Sequence, residues 1–498
     1  MYSVKYKNKT LMVDPDNNLE PFKFKSNKYF HNDIINHDGT IIKSINRNKN
    51  HVGYFSTSSV TTFGKTKNGK KLYKLTSLNF KLPHFMISYN GKLKGKILVV
   101  FKFLNWKKKI PQATIINVIG IFNEENIIKA YIYYYNLIAK KNKIKTINNP
   151  LEESITRKNI QNLFTISIDP EGSKDIDDTI SMDEDYIYIS IAQPISYMSS
   201  EDLIKTSKNR FSTLYLKSHE ISLFGDKITK QASLLENQIR NCYTLKFNRD
   251  GKLVENFPAT INTNRNLSYN YVNSDRKNFI ELFNFSENIF GPLENAQKLV
   301  EKWMIYSNCM IGQILNYTIY RNNLTDISIL KNIDEDDKKF FFDSSEYHYD
   351  NLSCHNILGV KNYLHFTSPI RRIVDNFIHY QLTYKQNLLE NKELDLFIDN
   401  INLISKQVSK LHRTINLRKI LKSLQPLSKQ FAKVVEINDK YLVLLISKIG
   451  KFKYYLNEYI DTNIDIKLNK IIEIELGIVN DFYCNKMIII KTPFDLSI

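Results

Sequence analysis

The segment from Asp169 to Asp178 gathers acidic residues in an otherwise basic chain. Its sequence is D-P-E-G-S-K-D-I-D-D, with four aspartates, Asp169, Asp175, Asp177 and Asp178. Residues 164–168 alternate apolar and polar, and Tyr186 to Ala192 is rich in tyrosine and isoleucine, so we predict a strand on either side. Because like charges repel when they are packed together, such a loop needs a positive group among its carboxylates.

The residues alone leave several interpretations of this loop open. An acidic turn between strands can be a solvated surface turn. A calcium loop also alternates oxygen ligands, but it needs Gly at its sixth position and Glu at its twelfth, where this chain has Lys174 and Ile180. Hard oxygen ligands without nearby His or Cys suit Mg²⁺, with Mn²⁺ as a substitute. One or two such ions can activate a water and stabilise the leaving oxygen of a phosphodiester.

Two motifs resemble one known family, the ribonuclease II / ribonuclease R (RNB) exoribonucleases. Residues 165–178 are similar to its signature T-I-S-I-D-P-x-x-S-x-D-I-D-D, and Tyr363 to Asp375 is similar to its Y-x-x-F-T-S-P-I-R-R-Y-x-D. The motifs stand in the family's order and at about its spacing. The resemblance implies a Mg²⁺-dependent enzyme that hydrolyses single-stranded RNA from its 3′ end and releases 5′-mononucleotides.

The resemblance also implies roles for the four aspartates. Asp169, Asp175 and Asp178 match metal-ligating aspartates of the family. Asp177 is placed in the same metal site and matches an aspartate whose loss abolishes cleavage in relatives while RNA binding is largely kept.

Arg371 matches a catalytic arginine of the family. Ser368 and Pro369 have the pattern of a helix N-cap and first helical residue, which predicts that Arg371 lies on the first turn, beside free backbone N–H groups that favour a phosphate. The alternative is a simple ion pair with Asp375, four residues further on, although Arg372 is the better structural partner for that carboxylate.

Five further residues are predicted to contact RNA. Tyr215 matches a tyrosine that stacks on the terminal base, and stacking on an aromatic ring is tolerant of sequence. Glu301 and Asn308 resemble a family helix that lines the RNA channel, and their spacing of seven places them on one helical face. Ser368 and Arg372, in the same motif as Arg371, are also predicted to contact RNA.

Composition is consistent with this interpretation but does not decide it. Lys+Arg minus Asp+Glu gives 70 − 51 = +19, which suits a polyanionic partner, although codon bias towards Lys, Asn, Ile and Tyr explains part of it. The scattered cysteines indicate neither a zinc site nor disulfides. We find no signal peptide and no apolar run of membrane-spanning length, so we expect a cytoplasmic monomer without membrane contact. Membership of an RNA-degradation complex stays open.

The predicted fold class is a multidomain α+β chain with OB-type barrels at both ends. Short strands, interleaved lysines and aromatics, and predicted hairpins at Asn68-Gly69 and Asn90-Gly91 favour N-terminal cold-shock barrels, with a strand pair at residues 105–120 as the family-like part. Alternatively, the aromatics are only barrel core. The predicted domains are a first cold-shock domain at 1–80, a second with its linker at 81–150, a mixed α+β RNB catalytic domain at 151–428, and an S1-like OB barrel at 429–498.

Departures from the family pattern motivate a second hypothesis. Gln193 stands where the family has an aspartate, residues 226–236 lack a usual motif, and residues 410–424 carry basic residues where relatives often have a glutamate. None of these positions is one of the four aspartates. The alternative to an exoribonuclease is therefore a catalytically silent member of the same family that only binds RNA.

Overall fold

The computed structural model describes residues 2–7, 10–14, 20–21, 28–36, 38–58, 63–79, 81–137, 155–208, 210–216, 219–315, 317–331, 333–350, 353–423, 428–438, 441–455, 467–480 and 485–490. The predicted linker lies mostly outside these residues. The chain divides into two compact units, the first formed by residues 1–138 and 409–498 and the second by residues 139–408. Mixed helices and sheets with a β-barrel confirm the predicted α+β multidomain class.

The first unit opens with a small sheet in the order β3-β2-β1-β4-β5. A short helix, α1, follows it. These elements are β1 Tyr2–Lys7, β2 Thr10–Asp14, β3 Glu20–Pro21, β4 Ile34–Ile35, β5 Ile41–Lys43 and α1 Ile45–Asn48.

A closed barrel follows, in the strand order β10-β8-β7-β6-β9. Its elements, with the helix after them, are β6 Asn50–Ser56, β7 Leu72–Ser77, β8 Phe85–Ser88, β9 Lys96–Asn105, β10 Gln112–Ile121 and α2 Glu124–Tyr134. Gln112 of β10 pairs in parallel with Met86 of β8 and closes the barrel. The predicted domain boundary at residue 80 lies between β7 and β8, two neighbouring strands of this barrel.

In this barrel, aromatic residues lie in the core and most lysines lie on the surface. Phe101 is fully buried in the core, and Phe103 and Trp106 pack against it. Most of the lysines that accompany them in sequence are exposed. The interpretation of these aromatics as barrel core therefore holds for the buried rings.

A tight turn does form at Asn68-Gly69, as predicted. Asn90-Gly91 joins β8 to β9, which are not neighbours in the barrel, so the predicted hairpin there is wrong.

The second unit is built on a seven-stranded sheet in the order β11-β18-β17-β14-β13-β12-β19. The strands of this unit are β11 Lys158–Asn159, β12 Thr165–Asp169, β13 Asp178–Met182, β14 Tyr186–Ala192, β15 Leu214–Leu216, β16 His219–Ile221, β17 Ile239–Asn248, β18 Leu253–Asn262, β19 Arg265–Ser268, β20 Thr318–Asn322, β21 Glu346–Asp350, β22 Cys354–His355 and β23 Val360–Lys361. The strands predicted on both sides of the aspartate segment are present, and β13 lies between them as an additional strand.

Helices surround this sheet and bury its apolar side chains. They are α3 Ser200–Ser207, α4 Asp226–Ala232, α5 Tyr269–Ser274, α6 Ile280–Phe290, α7 Ala296–Ile314, α8 Glu335–Lys338 and α9 Ile373–Tyr384, with 3₁₀ turns at Pro194–Tyr197, Arg276–Phe279, Ile327–Leu330 and Asn356–Leu358. Trp303 of α7 is fully buried and donates from its indole N–H to the Ser286 hydroxyl at 2.9 Å. This satisfies the polar atom of a large core residue.

Gly312 of α7 packs directly against the backbone of Asn362, the residue before the second motif. A Cβ atom at this position would lie 1.9 Å from the carbonyl oxygen of Asn362. Gly→Ala within a helix normally stabilises by about 1 kcal/mol. Here we expect Gly312→Ala to destabilise by about 2–3 kcal/mol, because backbone must move to admit the methyl group. Urea unfolding measures this change, with the exposed Lys302→Ala on the same helix as the control; equal stability of G312A and wild type contradicts the prediction.

The long helix α10 Asn391–Ser423 leads into a C-terminal antiparallel sheet. Its order is β26-β25-β24-β27-β28, and its strands are β24 Ser428–Asn438, β25 Tyr441–Ile446, β26 Gly450–Tyr455, β27 Ile471–Asn480 and β28 Asn485–Ile490. Leu442, Leu444 and Ile474 are buried in its core. Across the described ranges, no helix is both long enough and apolar enough to cross a membrane.

Candidate active site

The aspartate segment is the connection between two paired strands. Strand β12 ends at Asp169 and β13 begins at Asp178, and the two pair antiparallel from Thr165 opposite Ser181. The Ser233 hydroxyl donates to the carbonyl of Lys174 and accepts from the N–H of Ile176. The backbone between the aspartates is therefore held from both ends and from its middle.

Asp177 joins the two sequence motifs. It is 4% exposed, its Oδ1 accepts from the backbone N–H of Ile370 at 2.8 Å, and its Oδ2 accepts from Nε of Arg371 at 3.2 Å. Burial raises the pKa of Asp177 to about 7, while the Arg371 guanidinium and the Ile370 N–H oppose that rise. The predicted catalytic pair, Asp177 and Arg371, is thus in direct contact although the residues are 194 positions apart.

Asp169 and Asp178 both have raised pKa values. Burial raises the pKa of Asp169 to about 6, with partial opposition from the Ser167 hydroxyl and Arg371. The pKa of Asp178 is raised well above its usual value, first by burial and then by the charges of Asp169 and Asp177. Carboxylates arranged in this way gain from a nearby cation.

Asp175 pairs with the predicted stacking residue. The hydroxyl of Tyr215 donates to Oδ2 of Asp175 at 2.5 Å, and the tyrosine remains 46% exposed. Burial and this hydrogen bond raise the pKa of Tyr215, so the phenol stays protonated at neutral pH. The contact fixes the ring at the edge of the aspartate segment with its face partly open.

The second motif forms a turn in front of α9. We predicted that the helix begins at Pro369 with Ser368 as its cap, and this is wrong, since α9 begins at Ile373. Two contacts hold the turn instead: the Ile370 N–H donates to Asp177, and Oδ1 of the fully buried Asp375 accepts from the Ser368 N–H at 2.7 Å and from the Arg372 guanidinium at 2.8 Å. The Ser368 hydroxyl instead accepts from the Arg371 guanidinium at 2.8 Å.

Arg372 is therefore the partner of Asp375, as expected, and Arg371 is not. The Arg372 side chain is 17% exposed and spaced i,i+3 from the carboxylate. The Arg371 side chain is 48% exposed, so its guanidinium is accessible from solvent while it is anchored to Asp177 and Ser368. This accessible cation can meet a phosphate.

Glu301 and Asn308 both lie on one helix, α7, as predicted, but they differ in exposure and in their partners. Glu301 is half exposed and pairs with Lys298 at 2.7 Å. Asn308 is 2% exposed; its Oδ1 accepts from the Phe366 N–H at 2.8 Å, and its Nδ2 donates to the Thr367 hydroxyl at 3.3 Å. Asn308 thus positions the second motif.

A cavity of about 680 Å³ collects these groups. All ten residues predicted as site residues line it: Asp169, Asp175, Asp177, Asp178, Tyr215, Glu301, Asn308, Ser368, Arg371 and Arg372. Sequence reasoning missed Tyr269, whose pKa burial raises to about 12, with the charges of Asp178 and Asp169 adding to the effect. It also missed Lys174 and Glu220 on the cavity wall. Tyr269 follows β19, where only the parallel pairing of β19 with β12 brings it close.

Gln193, which stands where the family has an aspartate, forms a buried hydrogen-bond network. It is fully buried; its Oε1 accepts from the Arg157 guanidinium at 2.7 Å, and its Nε2 donates to the Thr383 hydroxyl at 2.9 Å. An aspartate could accept from the arginine but could not donate to Thr383. This departure from the family pattern is satisfied locally and does not line the cavity.

The carboxyl groups suit a hard divalent cation in chemistry. Oδ2 of Asp169 and Oδ1 of Asp175 are buried atoms without a hydrogen-bond partner. Buried acceptors of this kind call for water or an ion, and carboxylate oxygens are the ligands that Mg²⁺ prefers. Among the described residues, however, no group of three or more His, Cys, Asp and Glu side chains is arranged so that it could hold an ion. Ion binding would have to draw the side chains together.

The sequence matches the RNB-domain family model over residues 157–278 and 323–386. These ranges contain the aspartate segment, Tyr215 and the second motif, whereas Glu301 and Asn308 fall between them. Ribonuclease R of Ureaplasma parvum is 28% identical over 195 residues, which cover 35% of this chain and 27% of that protein. The match therefore spans about a quarter of the length of this curated relative.

Two solved structures share the fold over most of the chain. Mycoplasma genitalium RNase R in complex with ribose-methylated single-stranded RNA superposes with a TM-score of 0.74 at 15% identity, covering 99% of this chain and 100% of that one. Yeast Ssd1, described as a pseudonuclease, superposes with a TM-score of 0.58 at 11% identity, covering 84% of this chain and 66% of that one. At these identities the likeness concerns the fold alone, and one of the two proteins is named a ribonuclease and the other a pseudonuclease.

Proposed function

Because the chain belongs to the RNB-domain family, we propose that it is a hydrolytic 3′→5′ exoribonuclease that uses Mg²⁺ to release 5′-mononucleotides from single-stranded RNA. The observation that carries the proposal is the contact between the two motifs, in which buried Asp177 holds the Ile370 N–H and the Arg371 guanidinium beside carboxylates with unused oxygens. A solvated surface turn has no need of such burial.

The reaction adds water across one phosphodiester. The water oxygen bonds to phosphorus, the bond from phosphorus to the 3′ oxygen of the preceding nucleotide breaks, and that oxygen takes a proton. The products are a nucleoside 5′-monophosphate and an RNA one nucleotide shorter. Mg²⁺ held by Asp169, Asp175 and Asp178 would activate the water and offset charge on the phosphate.

The chain's own residues bind and orient the strand. Arg371, anchored by Asp177 and Ser368, presents its exposed guanidinium to a non-bridging phosphate oxygen. Tyr215 offers a ring that Asp175 fixes in place, on which the terminal base stacks for about 1–3 kcal/mol. Asn308 keeps the second motif in position from behind.

The test is the shortening of a 5′-labelled single-stranded RNA by the wild-type chain. We expect a ladder that shrinks from the 3′ end in Mg²⁺ and stops when the metal is chelated. The chromatographic product is 5′-nucleoside monophosphate, not a 3′-phosphate or a cyclic phosphate. An RNA labelled at its 5′ end and blocked at its 3′ end with a phosphate serves as the control for the direction of attack.

A catalytically silent RNA-binding protein is the second candidate. It is favoured by the shared fold with the Ssd1 pseudonuclease and by aspartates that are not gathered around one point in the described residues. It predicts RNA binding that weakens steeply with salt, with no nucleotide released in Mg²⁺ or Mn²⁺. The labelled-RNA assay separates the two candidates directly.

A further inference from the structure

A second cavity adjoins the first at the aspartate segment. It has a volume of about 350 Å³ and shares residues 169–173 with the larger cavity. Its other walls come from β19 and α5, including Arg265 and Tyr271. The volume is at the lower end of the range for small-molecule sites. Because residues 169–173 line both cavities, this short and mostly exposed stretch of chain lies between the larger cavity and the smaller one.

Arg265 and Tyr271 give the second cavity the chemistry of a nucleotide site. The Arg265 guanidinium carbon lies 5.2 Å from the centre of the Tyr271 ring, and both side chains are exposed. Within the part of the chain that the structure describes, Arg265 forms no ion pair. A planar guanidinium binds phosphate in bidentate fashion, and an exposed aromatic ring stacks on a base.

We propose that this cavity binds the nucleoside 5′-monophosphate product after cleavage and is its route of release. The inference rests on the proposed exonuclease function, because it assigns the site to the nucleotide that this function produces. The phosphate of a nucleoside monophosphate carries nearly two negative charges at neutral pH, as any phosphate monoester does. Asp169 and Glu171 line both cavities, whereas Asp175, Asp177 and Asp178 line only the larger one and Arg265 lines only the smaller one. The phosphate is therefore repelled by fewer carboxylates in the smaller cavity, where Arg265 attracts it.

The size of the cavity argues against a second binding site for the RNA strand. One nucleotide with its phosphate fits a space of this order, while a strand needs a groove that continues past several phosphates. Asn266 in the same wall is already engaged, since its side chain donates to the Ser167 hydroxyl and to the Leu234 carbonyl. Arg265 is left as the cation of this wall that is available to a ligand.

The experiment measures binding of 5′-AMP to the full-length chain by calorimetry, in parallel with its inhibition of RNA shortening. We expect Arg265→Ala to weaken 5′-AMP binding and to raise the inhibition constant about tenfold, the effect of losing one charge-assisted contact. Arg265→Lys keeps the charge without the planar fork and should fall between the two. Adenosine, which lacks the phosphate, should bind weakly and equally to wild type and R265A.

Arg249→Ala is the matched control. Arg249 is also exposed and lies over an aromatic ring, with its guanidinium carbon 5.5 Å from the centre of Phe285, but it lines neither cavity. It should leave 5′-AMP binding unchanged. The proposal is overturned if R265A binds 5′-AMP as tightly as wild type does, or if R265A weakens RNA binding as much as 5′-AMP binding, which would make this a strand contact.

Failure of the proposed function gives a different result. If wild type never shortens RNA, the exonuclease is wrong, yet calorimetry still reports whether 5′-AMP binding depends on Arg265. If RNA is shortened but Arg265→Ala does not change 5′-AMP binding, the proposed exonuclease function is supported and the proposed product site is wrong.

Discussion

Asp177→Asn is expected to abolish RNA shortening while RNA stays bound. The amide keeps an oxygen for the Ile370 N–H, but its NH₂ group then faces the Arg371 Nε, so two donors oppose each other where a carboxylate now accepts. Arg371 loses its anchor and the site loses one negative charge. Removing a single preorganised electrostatic contact costs about 10²–10³ in rate, and here two functions are lost, so we expect a loss of at least about 10³.

The measurement is single-turnover shortening of 5′-labelled RNA, with affinity measured separately by fluorescence anisotropy. We expect the dissociation constant to change by less than about threefold, because the lysines on the barrel and most of the cavity are untouched. Asp185→Asn makes the same chemical change at an exposed position outside the cavity and should behave as wild type. If D177N cuts RNA as fast as D185N does, the mechanism is wrong.

The sequence predicted the chemistry of the site better than its geometry. The aspartate segment and the second motif each carry a long pattern in consecutive residues, so both could be recognised, and the residues predicted from them line one cavity. Their junction through Asp177 and Ile370 could not be predicted, because it depends on how the turn before α9 packs under β13. Tyr269 escaped notice for the same reason, since it reaches the cavity only through the pairing of β19 with β12.

Local signals failed where other contacts overrode them. Ser368-Pro369 has a good helix-start pattern, yet the Ile370 N–H donates to the distant Asp177, the Ser368 N–H donates to the buried carboxylate of Asp375, and the helix begins only at Ile373. Asn90-Gly91 has a good hairpin pattern, yet the barrel places β8 next to β7 and β10. In both cases the short pattern indicates a conformation that the backbone can adopt, and contacts with other residues determine the conformation that it does adopt.

Asp375→Asn should be the most damaging change to stability outside the apolar core. Asp375 is fully buried and holds both the Ser368 N–H and the Arg372 guanidinium. Burial raises the pKa of Asp375 even though the Arg372 guanidinium opposes the rise, so bringing this pair out of water is itself costly. Neutralising one partner leaves the buried arginine uncompensated, which costs about 3–5 kcal/mol.

The RNA-shortening activity of D375N should also fall, by at least about tenfold under conditions where the variant is still folded. The turn that Asp375 holds carries the Ile370 N–H and Arg371, and a small displacement of reacting groups is enough to slow catalysis strongly. Chemical denaturation and RNA shortening measure the two effects separately. Glu335→Gln is the matched control, because Glu335 and Lys338 also pair at i,i+3 but in solvent, where such a pair contributes about 0.5 kcal/mol or less. If D375N loses no more stability than E335Q, the Asp375–Arg372 pair does not support the turn, and Arg371 must be held in place by Asp177 and Ser368 alone.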